Sequence, residues 1–375
     1  MNLMMLSGDS SLAQGQDSTF AQMMQRFCCY WDRVDILCPR VEGVQQTRFG
    51  NNVYIHASPG NKLLQPWFIR RKGRALFAER NYDLVVSHDY GLFLSGIGAW
   101  LLTRGTRVLY VSEIHHVEGY PRAVTQRERL YRAIAKIYIR WVWRHALAIR
   151  VVNSGEMVPL LTQLGVPAEK ILVLPSLYID FELFCPMPAE RCQFDVLFVG
   201  RFAENKGLFT LLDAIALLRE TRPAIRLCLV GRGPLDSAIK QRVDSLHLEN
   251  VTIIPRLESA LDVARTYNQA RILVCASTSE GGPRVTVEAM ACGIPVISTP
   301  VGVMSELLTD GVNGMVFHWD SHELAEKIRL LLEDDALAKR LGEAGRQSVQ
   351  RYNADTVIDH YATSYQSLIT GRGNA

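Results

Sequence analysis

With 375 residues, 48% of them hydrophobic and 21% charged, the chain can bury two ordinary cores, because a single domain mostly holds about 100–200 residues. Its longest uncharged apolar run, residues 91–103, is too short for a membrane-spanning helix, which needs about 20. Net charge is only +3; residues 1–190 carry 21 Lys and Arg against 16 Asp and Glu and the remainder 20 against 22, an asymmetry short of a nucleic-acid binder's.

Residues 1–13 have no basic start and run into Gly8, Asp9 and Ser10, so no secretory leader is expected and the setting reads as cytoplasmic. Buried strands of the parallel-sheet kind are predicted at 2–6, 34–38, 53–56, 84–87, 107–111, 148–152 and 171–174. Helices should fill roughly 18–30, 63–79, 91–103, 122–145 and 155–164. Polar residues follow three of these strands: Gly8-Asp9, His88-Asp89 and Glu113-Ile114-His115-His116. The first two are candidate acceptor contacts. His115 and His116 are adjacent and cannot both point the same way in extended chain, and His116 is favoured to face a ligand. Asp32-Arg33-Val34-Asp35 runs into a strand, and no D-x-D pair stands on a loop.

Residues 122–150 hold eight basic side chains and one acid. Arg129, Arg132, Lys136, Arg140 and Arg144 recur every three or four residues, opposite Leu130, Ile134, Ile137, Tyr138 and Trp141, so one face should be cationic and the other buried. Like charges at that spacing cost an isolated helix about 0.2–0.5 kcal/mol per pair. Either solvent accommodates this face or an acidic lipid surface does, at about 1 kcal/mol per basic residue.

Pro186 and Pro188 stop regular structure across 184–190 and mark a break between domains 1–185 and 186–353. Strands at 195–199, 226–230, 251–254, 272–275, 295–298 and 315–317 alternate with helical periodicity, as in Leu208, Leu211, Leu212, Ile215 and Leu218 or Leu324, Ile328, Leu331 and Leu332. The eight cysteines lie in or beside apolar segments with no C-x-x-C and read as reduced core thiols. A last helical stretch covers 354–369, and 371–375 should fray.

Chemistry concentrates in the second half. Glu280-Gly281-Gly282-Pro283-Arg284-Val285-Thr286-Val287-Glu288 sets two carboxylates on either side of a helix start. Gly281, Gly282 and Pro283 interrupt any strand before it, and Gly293 with Pro295 ends the helix after about two turns. The amides of Arg284, Val285 and Thr286 should be unpaired between the acids. Acids there can merely complement the helix dipole, for a few tenths to about 1 kcal/mol. Acids flanking free donors also suit a ligand with both hydroxyls and an anion, such as a nucleoside diphosphate sugar. Arg201 and Lys206, after a strand ending at Gly200, reach from the carboxyl edge where open α/β sheets bind ligands. Gly231 and Gly233 flank Arg232 in a strand-to-helix turn, where tight turning competes with phosphate binding; no third glycine completes a dinucleotide fingerprint.

These segments, Val199-Gly200-Arg201 through Lys206-Gly207, Leu229-Val230-Gly231-Arg232-Gly233-Pro234, residues 280–296 and Asp310-Gly311-Val312-Asn313-Gly314, resemble in order the signature of the family-four retaining glycosyltransferases, including its E-x7-E. The resemblance implies α/β architecture of the GT-B type, two facing Rossmann-like domains with parallel sheets and a central cleft. The acceptor would sit on 1–185 and the donor on 186–353, and a helix over about 354–370 would return to the first domain. It implies that Glu288 holds ribose, Glu280 the sugar hydroxyls, and Arg201 with Lys206 the diphosphate. Gly281, Gly282, Pro283 and the amides of Arg284, Val285 and Thr286 would position the sugar. Gly200 and Gly231 would line the donor, and Arg256 falls on the loop that meets the base. His116 would reach the sugar or the developing charge across the cleft.

The implied reaction is metal-independent, retaining transfer from a UDP- or GDP-sugar to a hydroxyl on a glycan, lipid-linked or small-molecule acceptor, without a cofactor or nucleic acid. Peripheral contact with the inner membrane face would run through the basic helix. Pro255, and Leu177-Tyr178-Ile179-Asp180 where similar proteins have N-G-V-D, depart from the family pattern and leave the base and the acceptor side open. Two alternatives are a non-catalytic carbohydrate- or partner-binding subunit and a sugar-nucleotide epimerase or phosphorylase-like enzyme. Retention of both acids and both cations argues against the first, and a phosphorylase would need a pyridoxal lysine.

Overall fold

The computed structural model describes residues 1–16 and 18–371, so the fraying expected for 371–375 falls almost wholly outside the described residues. The chain forms two compact units. The first comprises Met1–Glu118, Leu130–Ser176 and the stretch from Asp355; the second comprises Gly119–Arg129 and Leu177–Ala354.

The first unit is built on eight strands: β1 (Asn2–Leu6), β2 (Arg33–Cys38), β3 (Gln46–Phe49), β4 (Val53–Ala57), β5 (Leu84–His88), β6 (Leu109–Glu113), β7 (Ala148–Val151) and β8 (Ile171–Val173). Their order is β3-β4-β2-β1-β5-β6-β7-β8, parallel except for β3 against β4. The central strands are buried on both faces because helices cover both, so β1 is apolar from Leu3 to Leu6 and the polar residues of its neighbours, such as Asp35, Ser87 and Glu113, are themselves buried. Five helices fall within this half of the sequence: α1 (Thr19–Phe27), α2 (Gln65–Glu79), α3 (Leu94–Thr103), α4 (Gln126–Val142) and α5 (Met157–Gln163). Ser18 caps α1 by accepting the Ala21 amide, and Pro66 sits in the first turn of α2, where its missing N–H costs nothing. Strand β3 was not expected. It is a half-exposed antiparallel edge with no apolar run to announce it.

Helix α4 corrects the expected division of faces. Leu130 and Ile137 are 59% and 69% exposed, while Ala135, Tyr138, Ile139 and Val142 make the buried side. At 100° per residue Leu130 and Ile137 share a face with Ala133 and Arg140, so the exposed side is mixed apolar and cationic.

The second unit carries six parallel strands: β9 (Phe194–Val199), β10 (Leu227–Val230), β11 (Val251–Ile254), β12 (Ala270–Cys275), β13 (Val296–Ser298) and β14 (Met315–Val316), in the order β11-β10-β9-β12-β13-β14. Seven helices accompany them: α6 (Leu208–Arg219), α7 (Asp236–Ser245), α8 (Ala260–Asn268), α9 (Arg284–Ala291), α10 (Met304–Leu307), α11 (Ser321–Glu333) and α12 (Asp335–Ser348). Successive strand residues feed opposite cores. Leu227 and Leu229 pack with α6 and α11 residues such as Leu211, Ile215, Leu324 and Ile328, whereas Cys228 and Val230 pack with Tyr267, Val287 and Met290.

Two boundaries differ from the proline-based reading. The second unit begins at Leu177, because Leu177, Ile179 and Phe184 are already buried in its core and the Ile179 amide donates to the Tyr352 carbonyl at 2.7 Å. Residues Gly119–Arg129, including the first turn of α4, also belong to it: the Gly119 amide reaches Ser279 Oγ at 3.2 Å and the Arg122 amide the Thr278 carbonyl at 3.3 Å. The last helix, α13 (Ala354–Thr370), packs in the first unit, stacking Tyr361 on Phe27 with ring centroids 4.7 Å apart. Four cysteines are buried, but Cys29 and Cys192 are exposed, so not all eight are core thiols.

Candidate functional site

In the second unit the chain runs outward from β9 through β10 to β11, then returns to lay β12 on the other side of β9. The loops leaving β9 and β12 at their carboxyl ends therefore diverge over a switch point, where an open α/β sheet has its natural crevice. Both loops carry the residues singled out by sequence.

They are stitched together by backbone. The Thr278 amide donates to the Asn205 carbonyl at 2.8 Å, and Asn205 Nδ2 returns a bond to the Ser279 carbonyl at 3.0 Å. Gly207 closes the first loop with φ 65°, and a Cβ there would run into the Ala276 carbonyl. This register brings Lys206 Nζ onto Glu280 Oε1 as an ion pair. Ser277 Oγ donates to the same oxygen at 3.1 Å. The side chains are 24% and 17% exposed, so the pair is sheltered yet open to a ligand.

One helical turn on, Arg284 Nε donates to Glu288 Oε1 at 2.6 Å and the Tyr267 hydroxyl to Oε2 at 2.9 Å. Burial raises the Glu288 carboxyl above its ordinary range, and the Arg284 charge with the two hydrogen bonds only partly offsets this. The Arg284 guanidinium in turn lies 4.9 Å from the centre of the Tyr178 ring. Residues 177–180, taken as an acceptor-side departure, thus stand in the second unit beside the helix that carries Glu288.

At the α9 start, Pro283 occupies the N-cap, and the amides of Arg284 and Val285 have no acceptor among the described residues. Thr286 departs from expectation: its amide donates to the Pro283 carbonyl at 3.1 Å and its buried hydroxyl turns to the same oxygen, so only two of the three amides remain available. The Gly281 carbonyl accepts from the Val303 amide at 3.2 Å, and Gly282 lies against Leu177. Gly231 is explained by close approach, since a Cβ would overlap the carbonyl of Gly200 on the neighbouring loop. Arg201 and Arg256, after β9 and β11, are exposed and have no ion-pair partner among the described residues.

Sequence reasoning missed Ser277, Tyr267 and Trp319. The Ser277 carbonyl accepts from Thr299 Oγ1 at 2.6 Å and from Trp319 Nε1 at 2.9 Å, which fixes the chain just before Glu280. Trp319 does this from a left-handed backbone with φ 59°, a conformation unusual for a bulky residue. No motif announces it; His318-Trp319-Asp320 is unremarkable as sequence.

The remaining candidates lie in the first unit. His116 follows β6 and lines a small cavity with Tyr90, Phe93, Glu118 and Tyr131. His115 Nε2 contacts Glu113 Oε2 at 3.2 Å. Burial would raise the Glu113 carboxyl, but Arg150, 2.8 Å away, with His88 and His115, outweighs it and holds the group well below the carboxylate range. Asp89, named as a candidate acceptor contact, is turned inward. It is buried and Oδ2 accepts from Ser87, Ser112 and Tyr138 at 2.6, 2.6 and 2.8 Å.

Comparison with known proteins places these features in context. A family model described as glycosyl transferases group 1 matches residues 188–348, and one described as a glycosyl transferase 4-like domain matches residues 20–176. The D-inositol 3-phosphate glycosyltransferase of Arthrobacter sp. (strain FB24) is 31% identical over 308 residues, which is 77% of this chain and 71% of that protein. An uncharacterized glycosyltransferase of Methanocaldococcus jannaschii is 34% identical over 173 residues; that match covers 46% of this chain and only about half, 48%, of the relative's length. Among solved structures, sucrose-phosphate synthase from Thermosynechococcus elongatus has a TM-score of 0.80 at 22% identity, covering 99% of this chain and 100% of that one. Anabaena HepE, solved with UDP and glucose, has a TM-score of 0.75 at 21% identity, covering 98% and 100%. These structural likenesses concern the fold.

Proposed function

Because the chain belongs to the group 1 glycosyl transferases, we propose that it moves a sugar from a nucleoside diphosphate donor to a hydroxyl acceptor, retaining the anomeric configuration and using no metal. The observation that carries this reading is the Lys206–Glu280 pair over the β9/β12 switch point, with Arg201 on the same loop as Lys206 and the Arg284–Glu288 pair one turn further. Cations there meet the diphosphate and offset charge on the leaving group as the glycosidic bond breaks. Glu280 accepts from sugar hydroxyls, Glu288 from ribose, and the Arg284 and Val285 amides seat an anionic oxygen. Arg256, after β11, is assigned to the base. HepE, a structural neighbour, was also solved with UDP-glucose, which favours a UDP-sugar over a GDP-sugar.

The acceptor is taken to be a glycan or lipid-linked hydroxyl, with a departing phosphate oxygen receiving its proton, and His116 is assigned to the sugar side of the reaction. No helix of the described residues is long and apolar enough to cross a membrane. The exposed side of α4, where Leu130 and Ile137 stand among Arg129, Ala133 and Arg140, suits peripheral contact with acidic lipid at the cytoplasmic face.

The test is a thermal-shift screen of UDP- and GDP-sugars followed by donor turnover with and without acceptors. A bound donor stabilises in proportion to the logarithm of its concentration over its dissociation constant. Lys206→Ala should lower kcat by about 10²–10³-fold, the cost of one charge-stabilising donor in a transition state. Near-normal transfer by that variant would remove Lys206 from the reaction.

A further inference from the structure

The first unit has a cavity of about 470 Å³ at the amino ends of β6 and β7, the sheet edge opposite the one that carries His116. Its size falls within the span of small-ligand sites, about 300–1,000 Å³. Arg104, Arg107, Arg144, His145 and Lys170 line it, together with Trp100, and no Asp or Glu does. They arrive from three separate connections, before β6, before β7 and before β8, so no single helix periodicity brings them together.

Part of this charge has a local cause. Arg104 is the C-cap of α3, and Lys170 Nζ donates to the Trp143 and Ala146 carbonyls, at 2.7 and 2.9 Å, just beyond α4. Two helix ends supply about one unit of negative charge between them, against four full cations. Arg104, Arg107 and Arg144 have no carboxylate partner among the described residues. Arg104 lies 5.4 Å from the Trp100 ring, which orients its guanidinium beside the cavity. His145 is depressed by burial and by the Arg144 and Lys170 charges, so the site already resists one more proton.

We propose that this cavity is a second anion site, for a phosphate group, independent of the donor site in the other unit. Guanidinium forks from Arg104, Arg107 and Arg144 match phosphate oxygens, and Lys170 adds a fixed point charge. The phosphate can come from a free phosphorylated molecule or from a lipid headgroup.

Calorimetric titration with inorganic pyrophosphate and flotation with phosphatidylglycerol against phosphatidylcholine vesicles separate the two sources. Binding of pyrophosphate identifies a free ligand, and binding only of the anionic vesicles, weakened by Arg104→Gln/Arg107→Gln, identifies a headgroup in this cavity and not lipid on the exposed side of α4. In either case Arg104→Gln/Arg107→Gln should weaken binding by about tenfold or more, the scale of one or two charge-assisted hydrogen bonds. Arg144→Gln, on another connection, should weaken it independently, and Arg104→Lys/Arg107→Lys should restore only the part that charge without the guanidinium fork supplies, in a protein of unchanged thermal stability. Lys206→Ala should leave this binding intact, which keeps it distinct from the donor reading. On saturation the His145 imidazole, followed by NMR, should titrate at higher pH. If neither ligand's affinity responds to any of these arginine substitutions, or only Lys206→Ala removes binding, the second site does not exist.

Discussion

Each unit places a glutamate-to-cation pair at the carboxyl edge of its parallel sheet, yet the two pairs do opposite things. Glu113 and Arg150, in the first unit, are 0% and 2% exposed. The carboxylate also takes the hydroxyls of Tyr361 and Tyr365, so α13 is tied to the sheet through it. Arg150 also donates to the carbonyls of Leu174 and Pro175 and contacts His115 Nε2 at 3.5 Å. Lys206 and Glu280 form a comparable pair, but among the described residues Ser277 is the one further side chain that hydrogen-bonds it. Position in the fold therefore does not separate a structural pair from a ligand-binding one. What separates them is whether every lone pair and proton is already used.

The largest expected effect tests the closed pair. Removing one partner of a buried ion pair costs about 3–5 kcal/mol, because the other charge is left unpaired in a dry site. Arg150→Met should thus lower the melting temperature of the first unit's transition by on the order of 10 °C. Lys206→Ala, which breaks the open pair, should change stability by at most about 1 kcal/mol while removing transfer. Calorimetry of both variants decides the matter: equal losses of stability would erase the distinction between the pairs.

A second pair of carboxylates sharpens the comparison through pH. Glu113 is depressed because a guanidinium overcomes burial. Asp89, equally buried but surrounded by hydroxyls without a cation, is raised from 3.8 to about 7 by burial that its three hydroxyl bonds only partly offset. The signs follow. Glu113 contributes stability above the ordinary carboxylate range and loses it as pH falls toward its native value. Asp89 keeps a proton that the unfolded chain gives up, so its contribution falls as pH rises from about 4 to about 7, by up to about 1.4 kcal/mol per pH unit. Asp89→Asn should flatten the fall over that window in denaturant titrations. An unchanged slope would mean that Asp89 is ionised in the native protein.

How much of this was legible from sequence depends on which interactions are local. Strands 2–6 and 251–254 emerge at the bounds read from their apolar runs, and Glu288 sits one turn into a helix that glycines and prolines delimit. The neighbourhood of Glu280 and Lys206 was legible only through motif resemblance, since the two are brought together by strand order and not by spacing. Leu130 and Ile137 were misassigned because a run of cations masked the face that the sheet actually buries. The amide of Thr286 was counted as available, but a tight first turn consumes it. The tyrosines that fill Glu113 lie far along the chain on α13, where nothing in the sequence points back to β6.

Loss of either tyrosine hydroxyl measures how closed the first pair is. Tyr365→Phe leaves the shape intact and removes one donor to a charged acceptor, so a stability loss of about 1.5–3 kcal/mol is expected. A neutral result would show that solvent reaches Glu113 and that the pair is less sealed than its geometry implies.

The smallest expected effect concerns the open pair's support. Trp319 donates to the Ser277 carbonyl from strained backbone, but Thr299 Oγ1 donates to that carbonyl as well, so Trp319→Phe leaves no unsatisfied acceptor. Stability should fall by about 0.5–1.5 kcal/mol at most. The functional consequence runs through position: with one of two clamps gone, the segment before Glu280 gains freedom, and the donor must restore its order on binding. Donor KM should therefore rise by about threefold to tenfold with kcat nearly preserved. A fall in kcat alone would place Trp319 in the reaction itself, and unchanged kinetics would reduce it to packing.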